Sequence, residues 1–308
     1  MCSDIIERGR IMEKKLLLVY NPVSGKAQIK HYLSDIIDIY SSHDYCITLH
    51  PTKCVKDGYE YIKEHMTEYE VISVCGGDGM LNEAVSALMC AEPEKRPKLA
   101  YLPSGSTNDF AGTIGLPTDI RKAAKMVVEG TPFFCDAGRM NDKYFAYVAA
   151  FGAFTSVSYD TSQEFKNIFG HMAYVIEGLR QLSSIKVIHA KVKFDDVVIE
   201  DDFILGAVSN SFQIAGMKHT IGTAISLNDG LFEVLLIKKP KNALGYQNIL
   251  SAFVTGNLDK TENIISFKAS NVTFESDEPI KWTVDGEYGG KLPFAEITNI
   301  PRAFSVIV

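Results

Sequence analysis

The sequence predicts an α/β protein of two domains, a doubly wound N-terminal domain followed by a β-rich domain. Three observations lead to this prediction. About the first 140 residues alternate short β-branched runs with amphipathic stretches of helical period. Glycine-containing loops follow three of the strand-like runs. Beyond about residue 140 the pattern changes to the two-residue alternation that is typical of antiparallel strands.

The first domain is predicted from four strand-like runs that alternate with helical stretches. The predicted strands are Leu16–Tyr20, residues 45–52, Val71–Cys75 and a run that begins at Lys98. The predicted helices lie near residues 27–40 and 55–67, along the apolar face of residues 81–89, and from Asp119 onward. This βαβα order predicts a parallel sheet whose ligands bind at the carboxyl ends of the strands.

The second domain is predicted from alternating apolar residues. One alternation runs through Ile188, Ala190, Val192 and Phe194, and another through Ile280, Trp282 and Val284. Helical stretches near residues 163–183 and 241–254 interrupt the strands. We place the boundary within residues 136–141, which gives domains of residues 12–138 and 139–308. Residues 1–11 precede the first strand and are left out of the fold.

Composition and charge exclude several classes of protein. The chain has 308 residues, of which 46% are hydrophobic, and a net charge of −7. An acidic balance argues against nucleic-acid binding through a basic surface. The six cysteines include no Cys-x-x-Cys pair and the seven histidines show no zinc spacing. The longest apolar run, 11 residues from Tyr144, is too short to span a bilayer. We therefore expect a cytoplasmic protein with reduced thiols.

The stretch "VCGGDGM" carries the first functional prediction. Three glycines, Gly76, Gly77 and Gly79, surround Asp78 between a buried strand and an apolar helix. Glycines at such a joint let a ligand approach the backbone, and the helix N-terminus that follows favours phosphate. A tight connection with Asp78 as the helix cap is the structural alternative.

Two further loops repeat this design after other strands. The loop "NPVSGK" is not a P-loop, because Tyr20 stands where the first glycine belongs and Ala27 replaces the Ser or Thr. The loop "LPSGSTNDF" combines a glycine, two hydroxyls and Asn108-Asp109 before the next helix. The carboxyl ends of parallel strands share one edge of the sheet, so three such loops predict one polyphosphate site.

Five blocks resemble the bacterial diacylglycerol kinase-like lipid kinases. They are "NPVSGK", "GGDGMLNE", "LPSGSTNDFA", "LNDGLFEV" and "VDGEYGGKLP", and the resemblance runs from about Leu16 to the C-terminus. It implies an ATP-binding α/β domain related to NAD kinases and phosphofructokinases, a β-sandwich-like C-terminal domain, and an active site in the cleft between them. It also implies the cofactors ATP and Mg²⁺ and a lipid substrate. Because no spanning helix is predicted, we expect peripheral membrane contact, and the acidic net charge predicts no nucleic-acid partner. The resemblance leaves a homodimer open.

The resemblance also assigns roles to individual residues. Its implied nucleotide contacts are Asn21, Pro22, Val23, Ser24, Gly25, Thr52, Gly77, Asp78, Gly79, Met80, Leu81, Asn82, Glu83 and Ser106. Its implied catalytic residues are Glu287 as the base, with Asp78, Asp136 and Lys26 in a charged network. Its implied magnesium loop uses the Asp229 carboxylate and the carbonyls of Ser226 and Leu231. From the residues alone, a plain hairpin turn is the favoured interpretation of both Asp229-Gly230 and Asp285-Gly286, and only the resemblance favours a functional role.

The predicted reaction is transfer of the γ-phosphoryl group of ATP to a lipid hydroxyl, with diacylglycerol the leading acceptor. Such transfer needs a metal ion on the phosphates and a base at the acceptor hydroxyl. The chain departs from the resembled family at Met80, where a Thr or Ser hydroxyl is usual. One alternative is an NAD kinase-type enzyme, which shares Gly-Gly-Asp-Gly. The other is a nucleotide- or lipid-binding regulator with weak or no turnover. This alternative is suggested by Met80, which lacks the usual hydroxyl.

Overall fold

The computed structural model describes residues 14–24, 29–106, 108–152, 186–210, 213–214, 217–218, 226–255, 257–258 and 261–308. The chain forms two compact units. One contains the chain up to Phe133 together with Phe304–Val308, and the other contains Phe134–Ala303. A single strand, Pro132–Met140, runs through the position at which the sequence predicts the domain boundary. The predicted domain limits of 12–138 and 139–308 therefore stay a prediction.

The first unit is built on a parallel sheet. Its strands are β1 (Lys14–Tyr20), β2 (Tyr45–Pro51), β3 (Val71–Gly76) and β4 (Lys98–Pro103). The strand order is β2-β1-β3-β4, with every pair parallel. Val306, near the C-terminus, pairs in parallel with Leu99 of β4. Leu16 to Val19 of β1 are all buried, as expected for a strand that is covered on both faces.

Helices cover both faces of this sheet. They are α1 (Ile29–Ser41), α2 (Asp57–His65), α3 (Asp78–Leu88), α4 (Asp109–Ile114) and α5 (Ile120–Glu129). Helix α1 packs beside α5, and α2 packs beside α3. The α1–α5 layer buries Ile36 and Val127 against Leu18 and Leu102 of the sheet. The strand order reverses at β1, because β2 lies on one side of it and β3 on the other, which creates a crevice at their carboxyl ends.

The second unit is predominantly antiparallel sheet. Its strands are β5 (Pro132–Met140), β6 (Lys143–Phe145), β7 (Val148–Gly152), β8 (Ile188–Phe194), β9 (Val197–Ser209), β10 (Gln213–Ile214), β11 (Met217–Lys218), β12 (Phe232–Lys238), β13 (Ile264–Ala269), β14 (Asn271–Val284) and β15 (Glu287–Ile307). Within it the order is β13-β12-β9-β7-β14-β15, with β8 beside β9 and β14. Phe151, Phe274 and Trp282 pack edge to face in its core, with centroids 4.9 to 5.6 Å apart.

One helix, α6 (Ala243–Thr255), packs on this unit. Its buried residues Ile249 and Phe253 contact Ile204 of β9 and Leu235 of β12. The helix confirms the predicted stretch near 241–254, whereas the predicted stretch near 163–183 lies outside the described residues. Within the described part of the chain, no helix is long and apolar enough to cross a membrane.

The fold class predicted from the sequence is confirmed, and a short additional helix precedes the one predicted at Asp119. The sequence analysis starts the helix after the third loop near Asp119, whereas α4 already occupies Asp109–Ile114. Six residues are too few for a helical period to stand out from the surrounding loop. Its N-cap, Asn108, is in the left-handed region with φ of 53°. Asn tolerates that region better than most residues, and this starts the helix directly after the glycine loop.

Candidate active site

The loops that follow β1, β3 and β4 contact one another at the carboxyl edge of the first sheet. The Asn21 N–H donates to the carbonyl of Cys75 over 3.1 Å, and the Ser104 N–H donates to the carbonyl of Gly76 over 2.8 Å. The Ser24 hydroxyl lies 3.3 Å from the carbonyl oxygen of Ser104, to which it donates. The structure thus brings together the three loops that the sequence analysis expected to meet.

Two glycines make this close contact between loops feasible. A Cβ atom added to Gly105 would lie 2.5 Å from the Cα atom of Gly77. A Cβ atom on Gly77 would lie 3.3 Å from the Cα atom of Gly105. The first distance is far inside van der Waals contact, so a side chain at Gly105 would push the loops apart. Close packing of the two loop backbones therefore explains why both positions are glycine. It also leaves the loop backbones without side chains at these two positions.

Asn108 fixes the shape of the third loop. Its Oδ1 atom accepts the Gly105 N–H over 2.9 Å and the Tyr101 hydroxyl over 3.2 Å, and its Nδ2 donates to the carbonyl of Gly105. Burial raises the pKa of the Tyr101 hydroxyl well above its ordinary value, and the negative charges of Asp78 and Asp109 add to the rise. The Tyr101 hydroxyl therefore stays a neutral donor to Asn108.

Asp78 is the first residue of α3, directly after its N-cap Gly77. Its Oδ2 atom accepts the backbone N–H of Asp109 over 3.3 Å, at the start of α4. The structure therefore places the Asp78 carboxylate where the second and third loops meet. The sequence analysis did not select Asp109 as a site residue, although the Asn-Asp pair before an apolar run was a visible signal for a capped helix start.

The Met80 side chain is buried between Gly76 and Gly58. It is only 9% exposed. A Cβ atom on Gly76 would lie 2.6 Å from the Met80 Cβ, and one on Gly58 would lie 3.1 Å from the Met80 sulfur. The sulfur therefore occupies space that Gly58, in the first turn of α2, leaves open. The departure from the resembled family is thus a packing feature, because the buried Met80 side chain packs against Gly76 and Gly58.

Met80→Thr is therefore expected to destabilise the fold without raising activity. The change removes a buried thioether and leaves a hydroxyl against Gly58, at a cost of about 1–3 kcal/mol of unfolding free energy. Urea denaturation measures this loss. Met80→Leu, which keeps the volume, is the matched control and should lose less than about 1.5 kcal/mol. A tenfold rise in kcat/KM for Met80→Thr would show instead that a hydroxyl at this position reaches the phosphates.

The other predicted nucleotide contacts divide into loop and core positions. Glu83 accepts the backbone N–H groups of Lys56 and Tyr59, over 2.8 and 3.2 Å, and so caps α2. Leu81 is buried in the core, and the Thr52 N–H donates to the carbonyl of Tyr20. The exposed or partly exposed loop residues are Asn21, Pro22, Val23, Ser24, Gly77 and Ser106, whereas Gly79 and Asn82 are partly exposed residues of α3. Gly25 and Lys26 lie outside the described residues.

Glu287 follows a two-residue turn in the second unit. Asp285 and Gly286 connect β14 to β15 with φ values of 47° and 84°, and Val284 pairs with Glu287. Positive φ at both positions is the signature of a type I′ hairpin turn, for which Asp-Gly is a preferred sequence. Asp285-Gly286 therefore forms the hairpin turn that the sequence analysis gave as the structural interpretation. It leaves the Glu287 side chain exposed to solvent at the tip.

Asp285 anchors that turn to the strand beside it. Its carboxylate accepts three backbone N–H groups, from Ala146 over 2.7 Å, Tyr147 over 3.0 Å and Val148 over 2.9 Å. The Asp285 N–H donates in return to the carbonyl of Val148. Such a buried, multiply bonded carboxylate is costly to disturb. The position of Glu287 is thus set by its neighbour two residues earlier, a role that the sequence analysis missed.

Asp136 is buried on β5, and its carboxylate binds backbone N–H groups of two other segments. Its Oδ1 accepts the Arg302 N–H over 2.7 Å and its Oδ2 accepts the Gly230 N–H over 2.8 Å. Burial raises the pKa of the Asp136 carboxyl, and the two hydrogen bonds offset part of that rise. The charged network of Lys26, Asp78 and Asp136 stays a prediction, because Lys26 lies outside the described residues.

The carboxylate of the predicted magnesium loop, Asp229, already has protein donors on both oxygens. Asp229 Oδ1 accepts the Leu231 N–H over 3.1 Å, and its Oδ2 lies 3.1 Å from the ammonium group of Lys268. The Ser226 hydroxyl donates to Asn228 Oδ1. In the described part of the chain, no group of three or more His, Cys, Asp or Glu side chains is placed to hold a metal ion. The Asp229 site as arranged does not fit a divalent cation.

Comparison with known proteins identifies the family. Residues 15–140 match the family model "Diacylglycerol kinase catalytic domain", and residues 149–308 match "YegS C-terminal NAD kinase beta sandwich-like domain". A diacylglycerol kinase of Bacillus subtilis (strain 168) is 32% identical over 297 residues, covering 96% of both chains. The chain belongs to the diacylglycerol kinase family. A family member from Staphylococcus aureus (strain MRSA252) is 34% identical, over 96% of this chain and 92% of that one.

A solved structure from the same family has the same fold. The crystal structure of a diacylglycerol kinase from Bacillus anthracis str. Sterne superimposes with a TM-score of 0.80 at 26% identity, over 97% of this chain and 98% of that chain. Membership of the diacylglycerol kinase family makes this protein a kinase with a hydroxyl acceptor. The two matched family models also agree with the division of the chain into two units, a catalytic α/β domain and a β-sandwich-like domain.

Proposed function

We propose that this kinase transfers the γ-phosphoryl group of ATP to a lipid hydroxyl, with diacylglycerol as the acceptor and phosphatidic acid as the product. The observation that carries the nucleotide half of the proposal is the meeting of three loops at the carboxyl ends of β1, β3 and β4. These ends border the point where strand order reverses, which is where open α/β sheets bind their ligands. The names of the relatives support diacylglycerol as the acceptor.

The glycine loop is suited to hold the phosphates. Gly77 is the N-cap of α3 and Gly79 lies in its first turn, so the positive end of the helix dipole faces the loop. The backbones of Asn21 to Gly25 and the hydroxyls of Ser24 and Ser106 would supply further donors. Lys26 would add a positive charge to the phosphate site.

A magnesium ion would enter with the nucleotide. Asp78 would hold it, since its carboxylate lies where two loops meet and is joined to the Asp109 backbone. Carboxylates and phosphate oxygens are the hard ligands that Mg²⁺ prefers, and Asp109, whose backbone N–H contacts Asp78, carries a second carboxylate. When bound, the ion neutralises charge on the phosphates. This chain's own contribution is to place the carboxylate and the backbone N–H groups around them.

Glu287 would be the general base. Its carboxylate would accept the proton of the lipid hydroxyl while the new oxygen–phosphorus bond forms and the bond to the β-phosphate oxygen breaks, releasing ADP. Exposure at the hairpin tip supports this role, because the side chain is available to a substrate. The anchoring of the turn by Asp285 supports it further, because a base must be held in position to assist the transfer.

A substrate comparison tests the proposed reaction. Purified protein is incubated with γ-labelled ATP and Mg²⁺, together with diacylglycerol in mixed micelles, NAD, or a total lipid extract, and the products are read by mass spectrometry. We expect labelled phosphatidic acid and no labelled NADP. Another phosphorylated lipid from the extract would keep the lipid kinase and replace the acceptor. Labelled NADP would favour an NAD kinase, and nucleotide binding without any product would favour the regulator.

We further propose that the kinase is cytoplasmic and reaches its lipid by peripheral contact with the membrane. Lys239 and Lys241 are exposed beside Leu244, which is 61% exposed in the first turn of α6. An apolar side chain flanked by lysines suits an anionic lipid surface. Lys238, in the same run, is already paired with Asp201 over 2.8 Å and is left out of this surface.

Replacing both lysines is expected to weaken membrane binding. Each basic residue near an anionic surface contributes about 1 kcal/mol, so Lys239→Gln with Lys241→Gln should lower affinity for phosphatidylglycerol vesicles by about 30-fold. Co-sedimentation at low and high salt measures this, and salt should weaken the wild type. Lys122→Gln with Lys125→Gln, two exposed lysines of α5, is the matched control. Equal binding by both double variants would contradict the proposed surface.

A further inference from the structure

A lysine bridges two carboxylates next to the loop for which the family resemblance implies a magnesium ion. Lys268 on β13 pairs in register with Glu233 on β12. Its ammonium nitrogen lies 3.2 Å from Glu233 Oε1 and 3.1 Å from Asp229 Oδ2. Glu233 is only 3% exposed, so its charge lies in a poorly solvated place and requires a nearby positive partner. Lys268 supplies that partner to both acids at once.

We propose that the Lys268 ammonium group takes the place of a divalent metal ion at the loop of residues 226–231 (the Asp229 loop). This chain would then hold the Asp229 loop in shape without a divalent metal ion. Both oxygens of Asp229 are engaged, Oδ1 by the Leu231 N–H and Oδ2 by Lys268. A magnesium ion bound to Oδ2 at about 2.1 Å would lie within a few ångströms of the ammonium group. Two like charges at that separation repel each other strongly, so metal and lysine cannot share this carboxylate.

The remaining acid near the loop does not restore a metal site. Asp136 is the third carboxylate, and its two oxygens accept the backbone N–H groups of Gly230 and Arg302. These bonds join the turn after Asp229 to β5 and β15 by protein donors alone. Both carboxylates therefore have protein donors: an ammonium group and a backbone N–H for Asp229, and two backbone N–H groups for Asp136. This inference does not depend on the proposed reaction.

The consequence is that the stability of this protein should not depend on a bound divalent ion. Nucleotide-free protein is dialysed against EDTA, and its metal content is measured by elemental mass spectrometry. Its melting temperature is then measured by circular dichroism in EDTA and in MgCl₂. We expect no stoichiometric metal and the same melting temperature in both buffers. About one Mg²⁺ per chain that survives in Asp78→Asn but is lost in Asp229→Asn would overturn the proposal. A melting temperature several degrees lower in EDTA than in MgCl₂ would overturn it as well.

Variants of Lys268 test whether Mg²⁺ can take the place of the lysine ammonium group. Lys268→Met removes the charge at similar length, so it should melt several degrees lower in EDTA and recover in MgCl₂, because an ion that binds only the folded state stabilises it. Lys268→Arg keeps the charge and is the matched control, with no response to either buffer. Equal melting of Lys268→Met and the wild type in EDTA would contradict the proposal. If Lys268→Met does not fold, the wild-type metal content and chelation response decide the question by themselves.

Discussion

Glu287→Gln is expected to lower kcat by about 10²–10⁴-fold while leaving the affinity for ATP nearly unchanged. A lipid alcohol is a poor nucleophile at neutral pH, and an amide cannot accept its proton. The substitution keeps the size of the side chain at an exposed hairpin tip, so the fold should not change. Steady-state kinetics with saturating diacylglycerol micelles measure kcat, and equilibrium binding of an ATP analogue measures the affinity.

Two comparisons make this experiment decisive. Glu287→Asp keeps the carboxylate but withdraws it by one methylene, so it should recover only part of the lost rate. Glu296→Gln, an exposed glutamate on the same strand β15, is the matched control and should leave kcat unchanged. A Glu287→Gln variant with normal kcat and weakened ATP binding would make Glu287 a ligand-site residue, and the base would have to be sought elsewhere.

The meeting of the three loops was predictable from the sequence because it depends on topology. Glycine loops after successive buried strands must lie at one edge if the strands are parallel, and the βαβα order requires parallel strands. Hydrogen bonds among Asn21, Ser24 and Ser104 and their neighbours agree with that reasoning. No residue from a distant part of the chain has to be identified in advance. Local pattern and chain order are sufficient for a prediction of this kind.

Side-chain directions at the same loops could not be predicted, since they depend on partners far away in sequence. Met80 points inward because Gly58, 22 residues earlier, leaves room for its sulfur. Glu83 is used by the N-terminus of α2, whose backbone N–H groups it accepts. Lys268 reaches Asp229 across 39 residues because the two lie on or beside paired strands. Nothing in the local sequence of Met80, Glu83 or Asp229 indicates these partners.

The Asp285-Gly286 block shows that a structural and a functional interpretation need not compete. The sequence left open a plain hairpin turn or a catalytic segment. The turn is a two-residue hairpin, and the same aspartate accepts three backbone N–H groups that fix its orientation. A rigid turn is what a general base at the next position would require. The turn chemistry was readable from Asp-Gly, whereas the anchoring depends on residues 146–148, almost 140 positions earlier.

Asp78→Asn is expected to reduce kcat/KM for Mg-ATP by about 10³-fold or more while leaving the fold intact. A metal ion on the phosphates supplies several kcal/mol of charge stabilisation, and this carboxylate is the proposed ligand. The amide oxygen of Asn can still accept the Asp109 N–H, which Asp78 accepts over 3.3 Å, so the contact between α3 and α4 survives. Asp78→Ala would lose that contact and is the less clean test.

A comparison of Asp78→Asn with Glu287→Gln distinguishes the proposed metal ligand from the proposed general base. Asp78→Asn should weaken binding of Mg-ATP and flatten its dependence on Mg²⁺ concentration, whereas Glu287→Gln should bind Mg-ATP normally and turn over slowly. Asp119→Asn provides the matched control, because Asp119 caps α5 by accepting the Lys122 N–H and lies outside the three loops. Asn caps helices about as well as Asp, so that variant should keep both stability and Mg-ATP affinity. Near-normal turnover and Mg²⁺ dependence in Asp78→Asn would remove Asp78 from the nucleotide site and leave Asp109 as the carboxylate to test.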